Sequence, residues 1–219
     1  MTISYEEQLN TFYNDNFSEH GFDVRALHWE SEAGQYLRFL AACKITAFYF
    51  PIKNFSLLDF GCGLGHLYEF LEKSKFIKAT GLDYTGVDIN GTFIEEAKKK
   101  MPGIKFEVSS DSLYHKKYDF VVMSGLYNVK FDTDFDIEAR YMDDIRQLFG
   151  ITKQGLAVNF NSEEALKMLG PEKAEAYKDK FYFHDKDKVL KNLEQISDNI
   201  KIADDYMEQD FTYYLLKKA

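Results

Sequence analysis

The stretch Leu57-Leu58-Asp59-Phe60-Gly61-Cys62-Gly63-Leu64-Gly65 constrains this chain more than any other. An apolar run ends in an acid, three alternating glycines follow, and a helical pattern begins at once. A short run with no polar face is a strand buried on both sides. Glycines at its end let the backbone turn sharply and let a ligand approach the main chain, because no Cβ stands between. The unit then repeats. Residues 54–60 read as a strand, 64–74 as a helix, 85–88 as a strand, and 91–101 as a helix stopped by Pro102-Gly103. Residues 104–108 and 118–124 are further strands, 137–149 a helix and 155–160 a strand. Such alternation gives a parallel sheet with helices on both faces.

The pattern differs at both ends. Residues 4–50 read as helical, loosened at Glu19-His20-Gly21-Phe22-Asp23, where Gly and Asp favour a turn. Residues 163–177 and 186–197 are charged helical segments. Residues 200–206 and 211–216 read as strands joined by a tight turn at Glu208-Gln209-Asp210, and a hairpin is antiparallel. The expected fold is therefore α/β: a Rossmann-like, doubly wound, mostly parallel sheet with an antiparallel C-terminal hairpin and an N-terminal helical lid. At 219 residues the chain is expected to form a single domain, with residues 1–50 as lid, 51–160 as core and 161–219 as acceptor-side helices and hairpin.

Charge and composition narrow the function. A net charge of −9 argues against nucleic acid as partner, since binding phosphates needs a basic stripe. The one compact basic run, Lys98-Lys99-Lys100, ends a predicted helix and suits its C-terminal dipole. The two cysteines, Cys43 and Cys62, have no metal-type spacing, so no metal is expected. Residues 1–16 are polar and acidic and do not read as a signal peptide. The apolar stretch 39–52 is interrupted by Lys44 and Pro51 and is too short to span a bilayer. A cytoplasmic protein with no membrane partner is expected. Oligomeric state is not legible.

The glycine loop also discriminates between ligands. A dinucleotide fingerprint spaces its glycines Gly-x-Gly-x-x-Gly and places an acid about 20 residues on. Here the third glycine comes one residue early, the next strand-end acid is Asp88, and Asp59 stands where a pyrophosphate would be repelled. S-adenosylmethionine carries an ammonium, a carboxylate and a sulfonium but no phosphate. Asp59 suits the ammonium, and the two oxygens of Asp88 can accept from both ribose hydroxyls.

Together these residues resemble the class I S-adenosylmethionine-dependent methyltransferases. Residues 57–65 are similar to the family's first motif and Gly86-Val87-Asp88 to its second. Phe106-Glu107-Val108-Ser109-Ser110-Asp111-Ser112 resembles the third region, whose strand-end acid meets the adenine amino group. Tyr118-Asp119-Phe120-Val121-Val122-Met123-Ser124-Gly125 resembles the fourth strand. The resemblance implies S-adenosyl-L-methionine as cofactor, held by Asp59, Gly61, Cys62, Gly63, Asp88, Ile89, Asp111, Ser112, Ser124 and Gly125. Outside the core, His20-Gly21, Ala26-Leu27-His28-Trp29, Gln35, Arg38-Phe39, residues 124–129, Ala157-Val158-Asn159-Phe160 and Tyr182-Phe183-His184-Asp185 resemble a bacterial group associated with small-molecule or surface-glycan tailoring.

The remaining candidates follow from chemistry. Arg38, ahead of the glycine loop, can pair bidentately with the cofactor carboxylate. An oxygen acceptor must lose a proton, so His184 is the first candidate base and His28 the second. Asn128 can orient the acceptor by its amide, and Tyr127, Asn159 and Asn161 are further acceptor-side candidates on the loops after the fourth and fifth strands. Tyr13 and Trp29 are candidate covers of the cofactor or the acceptor, and His66 can touch the cofactor or pack in the first helical turn. The expected reaction is methyl transfer to a small molecule, with O-methylation slightly preferred. The alternatives are a protein or RNA methyltransferase, or a nucleotide-cofactor oxidoreductase or binding module.

Overall fold

A computed structural model describes residues 4–131 and 135–218. Its strands form one seven-stranded sheet of order β3-β2-β1-β4-β5-β7-β6. The strands are β1 (Ser56–Phe60), β2 (Asp83–Asp88), β3 (Lys105–Val108), β4 (Tyr118–Met123), β5 (Thr152–Asn161), β6 (Ile200–Ala203) and β7 (Asp210–Leu216). The first five run parallel, and β7 pairs antiparallel with both β5 and β6. This is the doubly wound sheet with an antiparallel edge that the sequence predicts. The order reverses between β1 and β4, which places the loops after them at the crevice where such sheets bind ligands.

Central strands bury both faces. Leu57, Leu58, Phe120, Val121, Val122, Leu156, Ala157 and Val158 are fully buried. One helical layer includes α6 (Ile137–Ile151) and α9 (Lys186–Leu193). The other includes α2 (Glu32–Cys43), α3 (His66–Lys73) and α5 (Gly91–Lys100). The helix starts are legible chemistry. Asn90, Asp136 and Asp185 each accept a main-chain N–H of the first turn from an N-cap position. The helix α1 (Tyr5–His20) opens with a capping box of Ser4 and Glu7.

The predicted boundaries shift where local signals are weak. A short helix, α4 (Phe76–Thr80), lies between α3 and β2 where no element is expected. The charged stretch after β5 splits at Gly170-Pro171 into α7 (Glu164–Lys167) and α8 (Pro171–Lys178), since Pro begins a helix more readily than it continues one. The connection between β6 and β7 spans residues 204–209 and is longer than the tight turn expected. No helix among the described residues is long and apolar enough to cross a membrane.

Candidate active site

The glycine loop, the tips of β2 and β4 and the N-terminal helices enclose a cavity of about 130 Å³. Its floor is set by main-chain geometry. Gly61 has φ 77°, and a Cβ there would stand 2.0 Å from the Leu126 side chain. Gly125 has φ 74°, and a Cβ there would meet the Trp29 ring at 2.6 Å. Only glycine fits either place without displacing a cavity wall. Above them, Tyr13, Leu27 and Trp29 line the cavity from the N-terminal side. Tyr13 and Leu27 also pack against buried Ala26, Leu64 and Phe93, which ties the lid to the loop.

The two acids stand on adjacent strands. Gly63 donates its N–H to Asp88 Oδ2 at 2.8 Å, and Asn90 donates to Oδ1 at 2.8 Å. Burial pushes the Asp88 carboxyl up, while the main-chain donors of Asn90, Gly63 and Ile89 oppose that shift. Asp59 is 3% exposed, and Tyr84 donates its hydroxyl to Oδ2 at 2.6 Å. Burial raises Asp59 to about 7; the Tyr84 bond opposes this and the charge of Asp88 adds to it. Among the described residues no cationic side chain pairs with this buried carboxylate, which suits it to a cationic ligand.

Eight of the predicted cofactor residues line this cavity: Asp59, Gly61, Cys62, Gly63, Asp88, Ile89, Ser124 and Gly125. Three do not, and here the sequence-based expectation is corrected. Arg38 is turned away, ion-paired with buried Asp210 and lying 4.4 Å over the Trp29 ring. Asp111 and Ser112 are exposed, at the start of a short 3-10 turn, Asp111–His115. The cavity wall in that region is Ser109, which donates its N–H to the Asp88 carbonyl at 2.8 Å.

None of the three expected catalytic residues lines the cavity. His184 is 7% exposed, with Nε2 3.1 Å from the Tyr127 carbonyl oxygen, and burial lowers its pKa. Asn128 accepts the Asn161 N–H through Oδ1 at 3.2 Å. Both therefore knit the segment behind Tyr127 to the end of β5. His28 has φ 59°, stacks on Phe12 at 4.4 Å and places Nε2 2.7 Å from the Asn16 amide nitrogen. A histidine in a loop can equally face a cavity or pack behind one, and the sequence does not separate the two.

At the polar end of the cavity the sequence points to Tyr127 and misses Arg140 and Asp144. Tyr127, Arg140 and Asp144 line it together. Tyr127 donates its hydroxyl to Asp144 Oδ2 at 3.2 Å, and Arg140 Nε donates to the same oxygen at 2.8 Å. Burial pushes the Asp144 carboxyl up against the pull of Arg140 and Tyr127. In the sequence, Arg140 and Asp144 look like an ordinary i,i+4 surface pair on a helix. Only the fold turns that pair inward.

The cavity walls also fit a polar, partly cationic ligand. Asn10 Oδ1, Gln35 Oε1 and Ser124 Oγ are buried with no hydrogen-bond partner among the described residues, and all three residues line the cavity. Buried polar atoms are ordinarily satisfied, so these mark places for ligand atoms. Asp59, Asp88 and Ser109 line the same cavity and offer it acceptor oxygens.

The sheet order, the glycine loop and the two strand-end acids define a Rossmann-like S-adenosylmethionine-dependent methyltransferase. The chain belongs to the methyltransferase domain family, which matches residues 34–157 and so more than half of it. The fold is shared with magnesium protoporphyrin IX methyltransferase of Synechocystis, crystallised with S-adenosylhomocysteine: TM-score 0.63 and 16% identity, over 95% of this chain and 99% of that one. It is shared equally with the plantazolicin methyltransferase BpumL, crystallised with a desmethylplantazolicin analogue and S-adenosylhomocysteine (TM-score 0.63, 18% identity, 98% of both chains). A Mycobacterium tuberculosis protein named "Putative methyltransferase Rv1506c" is 30% identical over 77 residues. That match covers 35% of this chain and 44% of the relative, so less than half of the relative's length is matched. S-adenosylmethionine is the cofactor of this family. Among the described residues no group of three or more His, Cys, Asp or Glu side chains is placed to hold a metal ion.

Proposed function

We propose that the chain transfers a methyl group from S-adenosylmethionine to a small molecule, with oxygen as the favoured acceptor atom. The observation that carries this reading is the shape of the cavity. It runs from the glycine loop past Ser124 and Gly125 to the buried polar end at Tyr127, Arg140 and Asp144, under a lid of N-terminal residues. A concave cavity with a polar end suits a small acceptor that enters whole.

When bound, S-adenosylmethionine supplies an already activated methyl group on a positive sulfur. The protein's task is to align the acceptor with it and keep water out. Such positioning contributes about 7–11 kcal/mol in well-oriented systems. Asp59 would hold the ammonium, Asp88 the ribose and Ser109 the adenine edge. Asp144 takes the role first expected of His184 and His28. Both of its protein bonds fall on Oδ2, which leaves Oδ1 to accept a proton from a hydroxyl acceptor. Its raised pKa suits a general base.

Two measurements test the proposal. In titration calorimetry, S-adenosylhomocysteine is expected to bind in the micromolar range and NAD not at all; the reverse would end the methyltransferase reading for this chain. With tritiated methyl donor and a cell extract, label is expected in the low-molecular-weight fraction. Label confined to protein or RNA would replace the small-molecule acceptor by a macromolecular one.

A further inference from the structure

Gln35 is 1% exposed, lies on α2 and lines the cavity. Its Nε2 is 3.3 Å from His66 Nδ1, and its Oε1 is buried with no hydrogen-bond partner among the described residues. His66 is the first residue of α3, directly after the glycine loop, and its Nε2 lies 3.1 Å from the Phe22 carbonyl oxygen. These contacts have one consistent assignment of hydrogens. A carbonyl only accepts, so His66 Nε2 must carry the proton. Burial lowers the His66 pKa and so favours the neutral ring, in which Nδ1 is an acceptor. The Gln35 amide must then turn its NH₂ to His66, which leaves Oε1 as an acceptor without a donor. The chain Phe22–His66–Gln35 thus fixes the polarity of one atom on the cavity wall.

The place of that atom suggests its ligand. The Gln35 amide meets His66, the residue that follows Gly65, so Gln35 Oε1 lies on the glycine-loop side of the cavity, whose lining also includes the Asp59 carboxylate. Two acceptors there suit a group with several N–H donors and a positive charge.

We propose that Gln35, oriented by His66, binds the amino group of the cofactor's methionyl portion through Oε1, in the cavity that Asp59 also lines. The proposal rests on the S-adenosylmethionine reading of the cavity. It makes Gln35 a specificity residue for the α-amino group and His66 a positioning residue.

The test compares two ligands: S-adenosylhomocysteine and its analogue lacking the α-amino group, 5′-S-(3-carboxypropyl)-5′-thioadenosine. For the unaltered protein, S-adenosylhomocysteine should bind the more tightly. Gln35→Met keeps the length of the side chain and removes Oε1. It should weaken S-adenosylhomocysteine about tenfold, as loss of a hydrogen bond to a charged group does, and leave the analogue nearly unchanged. If both ligands weaken alike, or neither does, Gln35 is a packing residue and the proposal is overturned. If the unaltered protein does not bind S-adenosylhomocysteine, the cofactor reading itself fails, which is a separate result. A second measurement needs no substitution. Nitrogen-15 NMR of the unaltered protein should show His66 neutral with the proton on Nε2. A proton on Nδ1 would point Gln35 Oε1 at the ring and overturn the proposal.

Discussion

Asp88→Ala is expected to abolish measurable binding of S-adenosylhomocysteine while the protein remains folded. Two losses combine. The cofactor loses the carboxylate placed for both ribose hydroxyls, and hydrogen bonds to charged groups contribute about 1.5–3 kcal/mol each. Two of them together correspond to at least about a hundredfold in affinity. The glycine loop also loses its clamp, because the Gly63 N–H is held by Asp88 Oδ2 at 2.8 Å. Asp88→Asn should fare little better. Its amide NH₂ would have to face one of two main-chain donors, those of Gly63 and Asn90. Calorimetry checks the affinity and a thermal melt checks the fold. A dissociation constant within about threefold of the unaltered protein's would remove Asp88 from the cofactor site.

The sequence carried the glycine-loop end of the cavity and only part of its polar end, for a physical reason. Asp59, the glycines and Asp88 are adjacent in sequence to the strands that position them, so local pattern and site coincide. The sheet order follows from the same strand–helix alternation. The polar end is assembled from elements far apart in the chain. Tyr5, Asn10 and Tyr13 come from α1, Tyr127 from the loop after β4, and Arg140 and Asp144 from α6. Tyr13 and Tyr127 are legible as candidates, but Tyr5, Asn10, Arg140 and Asp144 have no local signature. Arg140 and Asp144 read as a surface pair, and α1 has no fully buried residue to announce that its inner face closes a cavity.

Arg38 shows the complementary error. A rare arginine ahead of a glycine loop has the right chemistry for a carboxylate, and the structure gives it one. That carboxylate is Asp210, at the start of the C-terminal strand β7. The sequence offers no sign of this pairing, because β7 comes beside β5 only by folding back between β5 and the edge strand β6. His184 and Asn128 follow the same logic. Their hydrogen-bonding capacity holds Tyr127 and Asn161 in place rather than reaching the cavity. The sequence marks His184 as a base and Asn128 as an acceptor-orienting amide, whereas in the fold both hold the wall in place.

The second large effect concerns stability. Asp59→Asn is expected to stabilise the cofactor-free protein at pH 8 and to weaken cofactor binding in the same experiment. The Asp59 carboxyl is buried and raised to about 7, against an ordinary value near 4 in the unfolded chain. Between those values the folded state binds a proton that the unfolded state has lost. Stability therefore falls as pH rises through that window, and the full penalty is present above it. The neutral amide removes the penalty and keeps an oxygen to accept the Tyr84 hydroxyl, which now bonds Asp59 Oδ2 at 2.6 Å. The expected gain is on the order of a few kcal/mol at pH 8 and close to zero below about pH 4. Denaturant melts of both proteins from pH 4 to pH 8 measure it. Parallel pH profiles would mean that Asp59 titrates normally and that the buried carboxylate is compensated in the free protein. Diverging profiles together with weaker binding of S-adenosylhomocysteine would identify Asp59 as a charge kept at the expense of stability for the cation it receives, the trade-off expected where a binding site opposes the fold that carries it.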